Sequence, residues 1–209
     1  MTFADLEHAF TTAGEPLPPQ LRGDADLNPG MQPDARTPPD MLTPAAVLVP
    51  ILRRPEGETV LFTVRHRGLK RHPGQISFPG GRVDPGDVDA VATALRETEE
   101  EVGIPPQAVR VLGQLDCYVT RTGYCVTPVV GVVDSPPPLT PADAEVEEIF
   151  EAPLAFVLDP RNQLRESREA EGQRRHFYAI RFGERFIWGA TAGMLVCLGE
   201  FVRRRRGAL

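Results

Sequence analysis

The sequence predicts a mixed α/β layer fold, in which strands predominate in the first half and helices are interspersed. This prediction rests on short apolar runs separated by turns, one amphipathic acidic segment and an apolar C-terminal segment. The 209 residues suffice to bury a full core without disulfides or a structural metal. We therefore expect one domain with an N-terminal extension.

The N-terminal part is predicted to be a short helix followed by an extended arm. Phe3, Leu6 and Phe10 recur at helical spacing. Prolines are dense between Pro16 and Pro44, which is typical of an arm that runs over a protein surface. The chain is accordingly divided into residues 1–44, the helix and proline-rich arm, and residues 45–209, the main domain.

Apolar or alternating runs predict the strands of the main domain. They cover residues 45–52, 59–64, 77–78, 109–118, 126–133 and 174–182. Residues 145–158 mix a strand or turn with a short helix, and residues 188–204 predict a C-terminal helix. Strands and helices thus share one layered domain.

Charge and cysteine usage limit the classes of function. A net charge of −6 argues against broad attraction to nucleic acid or anionic membranes, so an anionic ligand must meet a local basic patch. The sequence contains neither an 18-residue apolar run nor a secretory signal pattern. Cys117, Cys125 and Cys197 form no CxxC pair, which argues against a disulfide framework and a zinc site. We expect a cytoplasmic protein.

An acidic helix is the most informative segment. On a helix over residues 88–102, five apolar residues share one face: Val88, Val91, Ala92, Leu95 and Val102. Glu97, Glu100 and Glu101 fall nearly opposite, whereas Glu99 turns towards the apolar side. Such carboxylates repel one another unless a divalent cation lies among them, and Mg²⁺ prefers hard oxygen ligands. A solvated acidic face is the alternative interpretation.

A basic loop precedes this helix. Arg65, Arg67, Lys70 and Arg71 lie within seven residues, with His72 beside them. The loop is either a solvated basic surface or, next to a metal–carboxylate cluster, a phosphate clamp. Gly80 and Gly81 follow, and they predict a turn or a close approach of backbone to a ligand.

Nudix hydrolases carry a signature that the central segment resembles, GGRVDPGDVDAVATALRETEEEVGI. Its second half is in register at Arg96, Glu97, Glu100, Glu101, Gly103 and Ile104. The spacing from Gly81 to Arg96 is one residue longer than usual, and Asp87 or Asp89 stands where the spacer usually has glutamate. Thr98 replaces the usual aliphatic residue.

The coenzyme A pyrophosphatase branch carries a further motif just upstream, which residues 61–81 resemble: LFTVRHRGLKRHPGQISFPGG. Lys70 stands where that motif usually has arginine, which keeps the charge but loses the planar bidentate donor.

The resemblance implies a Nudix-type α/β/α sandwich around a mixed β-sheet and a Mg²⁺ or Mn²⁺ cofactor. The implied reaction is hydrolysis of the diphosphate of coenzyme A or acyl-CoA to 4′-phosphopantetheine and adenosine 3′,5′-bisphosphate. Glu97 and Glu101 are the first choices as metal ligands, and Glu100 is a third ligand or the general base. Arg96 is expected to orient a carboxylate through an i,i+4 pair.

The expected substrate-binding residues are Arg65, Arg67, Lys70, Arg71, His72, Gly80 and Gly81. Other substrates of the same family, such as ADP-ribose or NADH, and a catalytically silent nucleotide-binding module remain alternatives. Glu145, Glu147 and Glu148 form either a solvated loop or the source of an extra ligand or base. The expected partner is a small-molecule substrate, coenzyme A or a derivative, and neither nucleic acid nor a membrane. A homodimer is compatible with the sequence.

Overall fold

The structure, a computed structural model, describes residues 1–11, 22–28, 41–170 and 172–207. Most of the predicted proline-rich arm lies outside these residues, so the division between residues 44 and 45 stays a prediction. The predicted N-terminal helix is present, and it buries Leu6 and Ala9 against the main core.

The described residues contain four α-helices: α1 (Phe3–Thr11), α2 (Ala90–Val102), α3 (Leu154–Val157) and α4 (Ala190–Gly207). They also contain twelve strands: β1 (Arg22–Gly23), β2 (Thr43–Arg54), β3 (Gly57–Arg65), β4 (Ile76–Ser77), β5 (Gly80–Arg82), β6 (Arg110–Gln114), β7 (Tyr118–Val119), β8 (Tyr124–Val133), β9 (Val146–Pro153), β10 (Leu164–Ala170), β11 (Gln173–Phe182) and β12 (Arg185–Trp188). Short 3-10 helices cover Asp24–Leu27 and Pro106–Ala108.

Nine strands form a mixed sheet around β2. The main order is β1-β7-β8-β2-β3-β4, while β5 also pairs with β2, β6 with β8 and β9 with β3. Strand β2 runs parallel to β8 and antiparallel to β3 and β5. A second, antiparallel sheet follows the order β10-β11-β12. The predicted mixed sheet is therefore confirmed.

Helices cover the large sheet on both faces. Successive side chains of a strand point to opposite faces, and β2 divides accordingly. Ala46, Leu48 and Leu52 pack in a core that includes residues of α2. Val49 and Ile51 pack in the other core, which includes residues of α1, α3 and α4. The predicted α/β/α sandwich is confirmed.

Strand β2 tolerates Pro50 in its centre because this residue lies in the gap between the two antiparallel strands that pair with β2. Leu48 donates its backbone N–H to the Pro79 oxygen at 2.9 Å, and residue 50 faces the same edge. Pairing with β5 ends at Val47, and pairing with β3 begins at Ile51. Pro50 therefore lacks its N–H where neither strand needs a donor.

The structure corrects the predicted orientation of the acidic helix. Helix α2 begins at Ala90, so Val88 precedes it and is 89% exposed instead of packing on the sheet. The buried residues of α2 are Thr93, Ala94, Thr98, Glu101 and Val102, and Glu99 is exposed. The loop after β8 covers the end of α2, because Ala142 donates its N–H to the Glu101 carbonyl at 3.0 Å. Helical periodicity alone could not reveal that this loop contacts α2 in addition to the sheet.

The expectation about cysteines is also wrong in one respect. A disulfide joins Cys117 to Cys125, whose Cα atoms lie 5.6 Å apart. The pairing of β7 with β8, in which Val119 lies opposite Cys125, brings the two cysteines together. The spacing of the cysteines in the sequence does not predict this hairpin. Cys197 is free, and burial raises the pKa of its thiol to about 11.

Two predicted elements are divided differently in the structure. The strand predicted over residues 109–118 is divided into β6 and β7, and Trp188 ends β12 instead of beginning the C-terminal helix. Among the helices in the described ranges, none combines the length and apolar character needed to cross a bilayer.

Candidate active site

Arg96 connects the acidic residues of the site. Its Nε and Nη2 atoms donate to Asp87 at 3.1 and 2.9 Å. Its Nη1 atom donates to Glu97 at 2.9 Å and to Glu100 at 3.1 Å. The structure thus contains the expected i,i+4 contact between Arg96 and Glu100, together with two contacts that the sequence did not predict.

Asp87 is the spacer carboxylate that holds Arg96. Its side chain is 7% exposed and also accepts hydrogen bonds from the Asp84 N–H at 2.9 Å and the Thr93 hydroxyl at 2.8 Å. The Arg96 guanidinium and these donors hold the pKa of Asp87 well below its ordinary value. Asp89 instead caps α2, because its carboxylate accepts from the Ala92 N–H at 2.8 Å. The two candidate spacer aspartates therefore have different roles.

Glu97 and Glu101 are the more buried glutamates of α2. Glu101 is 5% exposed, and its Oε2 atom has no hydrogen-bond partner within the described residues. Burial, reinforced by repulsion from Glu97, raises the pKa of Glu101 to about 8, although Arg65 and the Gly80 N–H counteract this. Burial also raises the pKa of Glu97, against the opposing effect of Arg96.

Two glycines let strand β5 approach these carboxylates. Gly80 has a φ of 155°, and a Cβ atom at this position would overlap the backbone of Ala46 and Val47. A Cβ atom at Gly81 would overlap the carboxylate of Glu97. Gly80 therefore requires glycine, whereas a side chain at position 81 would displace the Glu97 carboxylate, which lies directly against the strand backbone.

The donor set fits a hard divalent cation at Glu97 and Glu101. Two neighbouring, largely buried carboxylates with raised pKa values, one of them with an unpartnered oxygen, favour a bound cation or proton. Glu100 is 59% exposed at its side chain and is paired with Arg96. Across residues 1–11, 22–28, 41–170 and 172–207, no three His, Cys, Asp or Glu side chains already form a metal-binding group.

One residue of the later acidic segment acts electrostatically on this pair. Burial is the main cause of the raised pKa values of Glu97 and Glu101, and repulsion from Glu145 adds to it. Glu147 and Glu148 lie on β9 instead of in a loop, and both are occupied elsewhere: Glu147 pairs with Arg67 at 3.2 Å, and Glu148 accepts from Arg185 at 2.9 Å. Sequence position could not distinguish these three glutamates.

A cavity of about 650 Å³ adjoins the glutamates through Gly80 and Gly81. Five of the predicted substrate-binding residues line it: Arg65, Arg71, His72, Gly80 and Gly81. Lys70 and Arg67 do not line it. The side chain of Arg67 is 82% exposed and is held by Glu147. The structure therefore divides the predicted basic loop into residues inside and outside the cavity.

Sequence reasoning missed four other residues that line the cavity: Arg82, Thr120, Thr122 and Tyr124. The Tyr124 hydroxyl oxygen accepts from Arg82 Nη2 at 2.6 Å and from Arg82 Nε at 3.2 Å. It also lies 3.4 Å from Arg71 Nη1. Arg82 directly follows the two glycines, which is the one sequence signal that could have identified it.

Comparisons with known proteins identify the family. The NUDIX domain family model matches residues 42–177. The uncharacterized Nudix hydrolase NudL of Escherichia coli (strain K12 / DH10B) is 44% identical over 151 residues, which are 72% of this chain and 78% of the relative. NudL of Escherichia coli O7:K1 (strain IAI39 / ExPEC) is 43% identical over the same shares.

Among solved structures, a MutT/nudix family protein from Enterococcus faecalis has a TM-score of 0.48 at 13% identity, over 95% of this chain and 73% of that chain. The C. elegans Ap4A hydrolase binary complex has a TM-score of 0.46 at 21% identity, over 53% and 80% of the two chains. The family model covers more than half of the chain, and NudL is similar over most of its own length. This chain belongs to the Nudix hydrolase family.

Proposed function

We propose that the protein hydrolyses the diphosphate bond of coenzyme A or acyl-CoA, with Mg²⁺ or Mn²⁺ as cofactor. The products are 4′-phosphopantetheine and adenosine 3′,5′-bisphosphate. The observation that carries the proposal is that a cation-binding feature adjoins an anion-binding one. A carboxylate pair that fits a cation adjoins a cavity lined by Arg65, Arg71 and Arg82.

The charges of coenzyme A match this arrangement. Its diphosphate requires neutralisation during hydrolysis, and its ribose carries a separate 3′-phosphate. ADP-ribose and NADH contain a diphosphate but no phosphomonoester, so they leave the arginines of the cavity without an equivalent partner. The resemblance of residues 61–81 to the coenzyme A pyrophosphatase motif supports the same choice.

Glu97 and Glu101 are the residues that would hold the cation, and a bound cation supplies Lewis-acid chemistry towards the diphosphate oxygens. Arg96 orients Glu97 and Glu100 through its Nη1 atom. Glu100 is the proposed base that takes a proton from the attacking water. Glu145 is the competing choice, since its charge adds to the raised pKa values of Glu97 and Glu101 and it forms no ion pair within the described residues. A cytoplasmic location and a homodimer stay predictions.

The substrate assignment is tested by mass spectrometry of the products. We expect the wild-type protein with Mn²⁺ to convert coenzyme A to 4′-phosphopantetheine faster than it cleaves ADP-ribose or NADH. Faster cleavage of ADP-ribose or NADH would reassign the substrate. Binding of all three compounds without turnover in Mg²⁺ or Mn²⁺ would instead identify a silent nucleotide-binding module.

Glu101→Gln should lower the rate of coenzyme A hydrolysis by at least about 100-fold, because the amide keeps the shape but loses the charge that a cation needs. Glu99→Gln is the matched control, since Glu99 lies on the same helix and is exposed. Both variants are assayed with saturating Mn²⁺. Equal rates for the two variants would refute the assignment of Glu101 as a ligand.

Asp87→Asn should lower the rate by about 10-fold or more, because Arg96 loses a charged partner and no longer holds Glu97 and Glu100 in place. Asp89→Asn is the control, because asparagine caps a helix as well as aspartate does. The measurement is kcat for coenzyme A. The positioning role of Asp87 fails if Asp87→Asn and Asp89→Asn retain the same activity.

The raised pKa of Glu101 predicts how stability depends on pH without metal. Its folded-state pKa of about 8 exceeds its ordinary value of 4.5, so the folded state retains a proton that the unfolded state releases between these values. The contribution of Glu101 to stability is therefore complete below about pH 4.5 and is lost as the pH rises through about 8.

Urea unfolding in EDTA across this range checks the prediction. We expect the free energy of unfolding of the wild type to fall with increasing pH more steeply than that of Glu101→Gln. Identical slopes would mean that Glu101 titrates alike in the folded and unfolded states.

A further inference from the structure

Two arginines converge on one neutral oxygen in the cavity wall. Arg71 and Arg82 both donate to the Tyr124 hydroxyl. Within the described residues neither arginine forms an ion pair with a carboxylate, although Arg96 and Arg54 do. In a protein of net charge −6, two neighbouring guanidinium groups without a carboxylate partner are suited to bind an anion, and we call them, with Tyr124, the receptor.

Both walls of this receptor are held in place. The Tyr124 N–H donates to the Thr120 hydroxyl at 3.1 Å, and the Tyr124 carbonyl accepts from the Thr120 N–H at 2.9 Å. The Arg82 backbone pairs with Ala45 through β5, and its carbonyl accepts from Arg96 Nη2 at 3.3 Å. The receptor is thus joined to the same guanidinium that organises the glutamates.

We propose that Arg71, Arg82 and Tyr124 bind a phosphomonoester of the substrate. Arginine binds phosphate through paired N–H donors, and the tyrosine hydroxyl can donate to the same group once the arginines turn towards it. A dianionic phosphomonoester supplies the charge that two guanidinium groups require. The identity of this group as the 3′-phosphate of coenzyme A rests on the proposed function, whereas the class of anion does not.

The position of the receptor agrees with this substrate. Arg82 follows Gly81, whose backbone lies against the Glu97 carboxylate, and one strand residue advances about 3.3 Å. The receptor therefore lies close to where a diphosphate would be cleaved. In coenzyme A the diphosphate and the phosphomonoester are attached to the same ribose, so both can be reached from neighbouring residues.

Two observations favour a phosphate over the adenine ring as the occupant. The Arg82 guanidinium already makes a cation–π contact with the Tyr124 ring, 5.4 Å from its centroid, which a stacked adenine would have to displace. The N–H donors of both arginines converge on the Tyr124 hydroxyl. A bound phosphate would replace this neutral acceptor with a charged one. Specificity is accordingly assigned to Arg82 and Tyr124 and not to the outlying Lys70.

Calorimetric binding of adenosine 3′,5′-bisphosphate and of AMP, in Mg²⁺, tests the receptor without turnover. Arg82→Gln should weaken binding of the bisphosphate by about 10- to 100-fold and reduce its advantage over AMP by the same order. Tyr124→Phe, which retains the ring, should weaken the bisphosphate by about 3- to 10-fold. Arg161→Gln is the control, because Arg161 is 88% exposed and pairs with Asp159 outside the cavity.

A wild-type protein that binds both nucleotides equally, or variants that weaken both equally, would overturn the receptor. The values of kcat/KM for coenzyme A and dephospho-coenzyme A then separate the two proposals. Preference for the bisphosphate without coenzyme A hydrolysis would overturn only the proposed function. Hydrolysis of coenzyme A, with both substrates impaired equally by Arg82→Gln and by Tyr124→Phe, would overturn only the receptor. Circular dichroism of each variant verifies that it is folded.

Discussion

The site depends on the hydrogen bonds that the Arg96 guanidinium donates to the surrounding carboxylates. Glu97, Glu100 and Asp87 would repel one another around α2, yet each accepts a hydrogen bond from this one side chain. Because Asp87 lies in the turn before α2, the contact also fixes the start of the helix relative to its glutamates. Glu101 is outside this network, and its buried, unpartnered oxygen is the point where a cation is needed most.

The second constraint is the absence of side chains at Gly80 and Gly81. It brings the backbone of β5 against the carboxylates on one side and places the cavity next to them on the other. The fold thereby separates two kinds of anion recognition over a short distance. In the proposed function, the carboxylates that fit a metal would face the diphosphate, and the guanidinium groups of Arg71 and Arg82 would face the remaining phosphate. Such a division favours a substrate with two distinct phosphate groups.

The sequence predicted the parts of the site that are close together along the chain. Helical spacing and the motif placed Arg96 near Glu97 and Glu100, and alternating apolar residues predicted the sheet. Helical periodicity could not assign the buried face of α2, because the loop containing Ala142 covers a side that periodicity treats as exposed. Val88 was placed incorrectly for a different reason, because α2 begins only at Ala90, and Glu99 is exposed instead of turning towards the apolar face. The choice between Asp87 and Asp89 depended on the geometry of one turn.

Contacts between residues that are far apart in the sequence could not be predicted. Arg82 and Tyr124 are separated by 42 residues and meet only because β5 and β8 both flank β2. The Cys117–Cys125 pairing likewise depends on a hairpin that the spacing of the cysteines does not encode. Conversely, Lys70 and Arg67 belong to the basic loop in sequence but lie outside the cavity.

The most direct test of the metal site is the anomalous scattering of a crystal soaked with Mn²⁺. We expect an anomalous difference peak beside the carboxylates of Glu97 and Glu101, bound by the Glu101 oxygen that lacks a hydrogen bond. A crystal in which Mn²⁺ binds elsewhere, while Glu97 and Glu101 remain without a cation, would contradict the central claim.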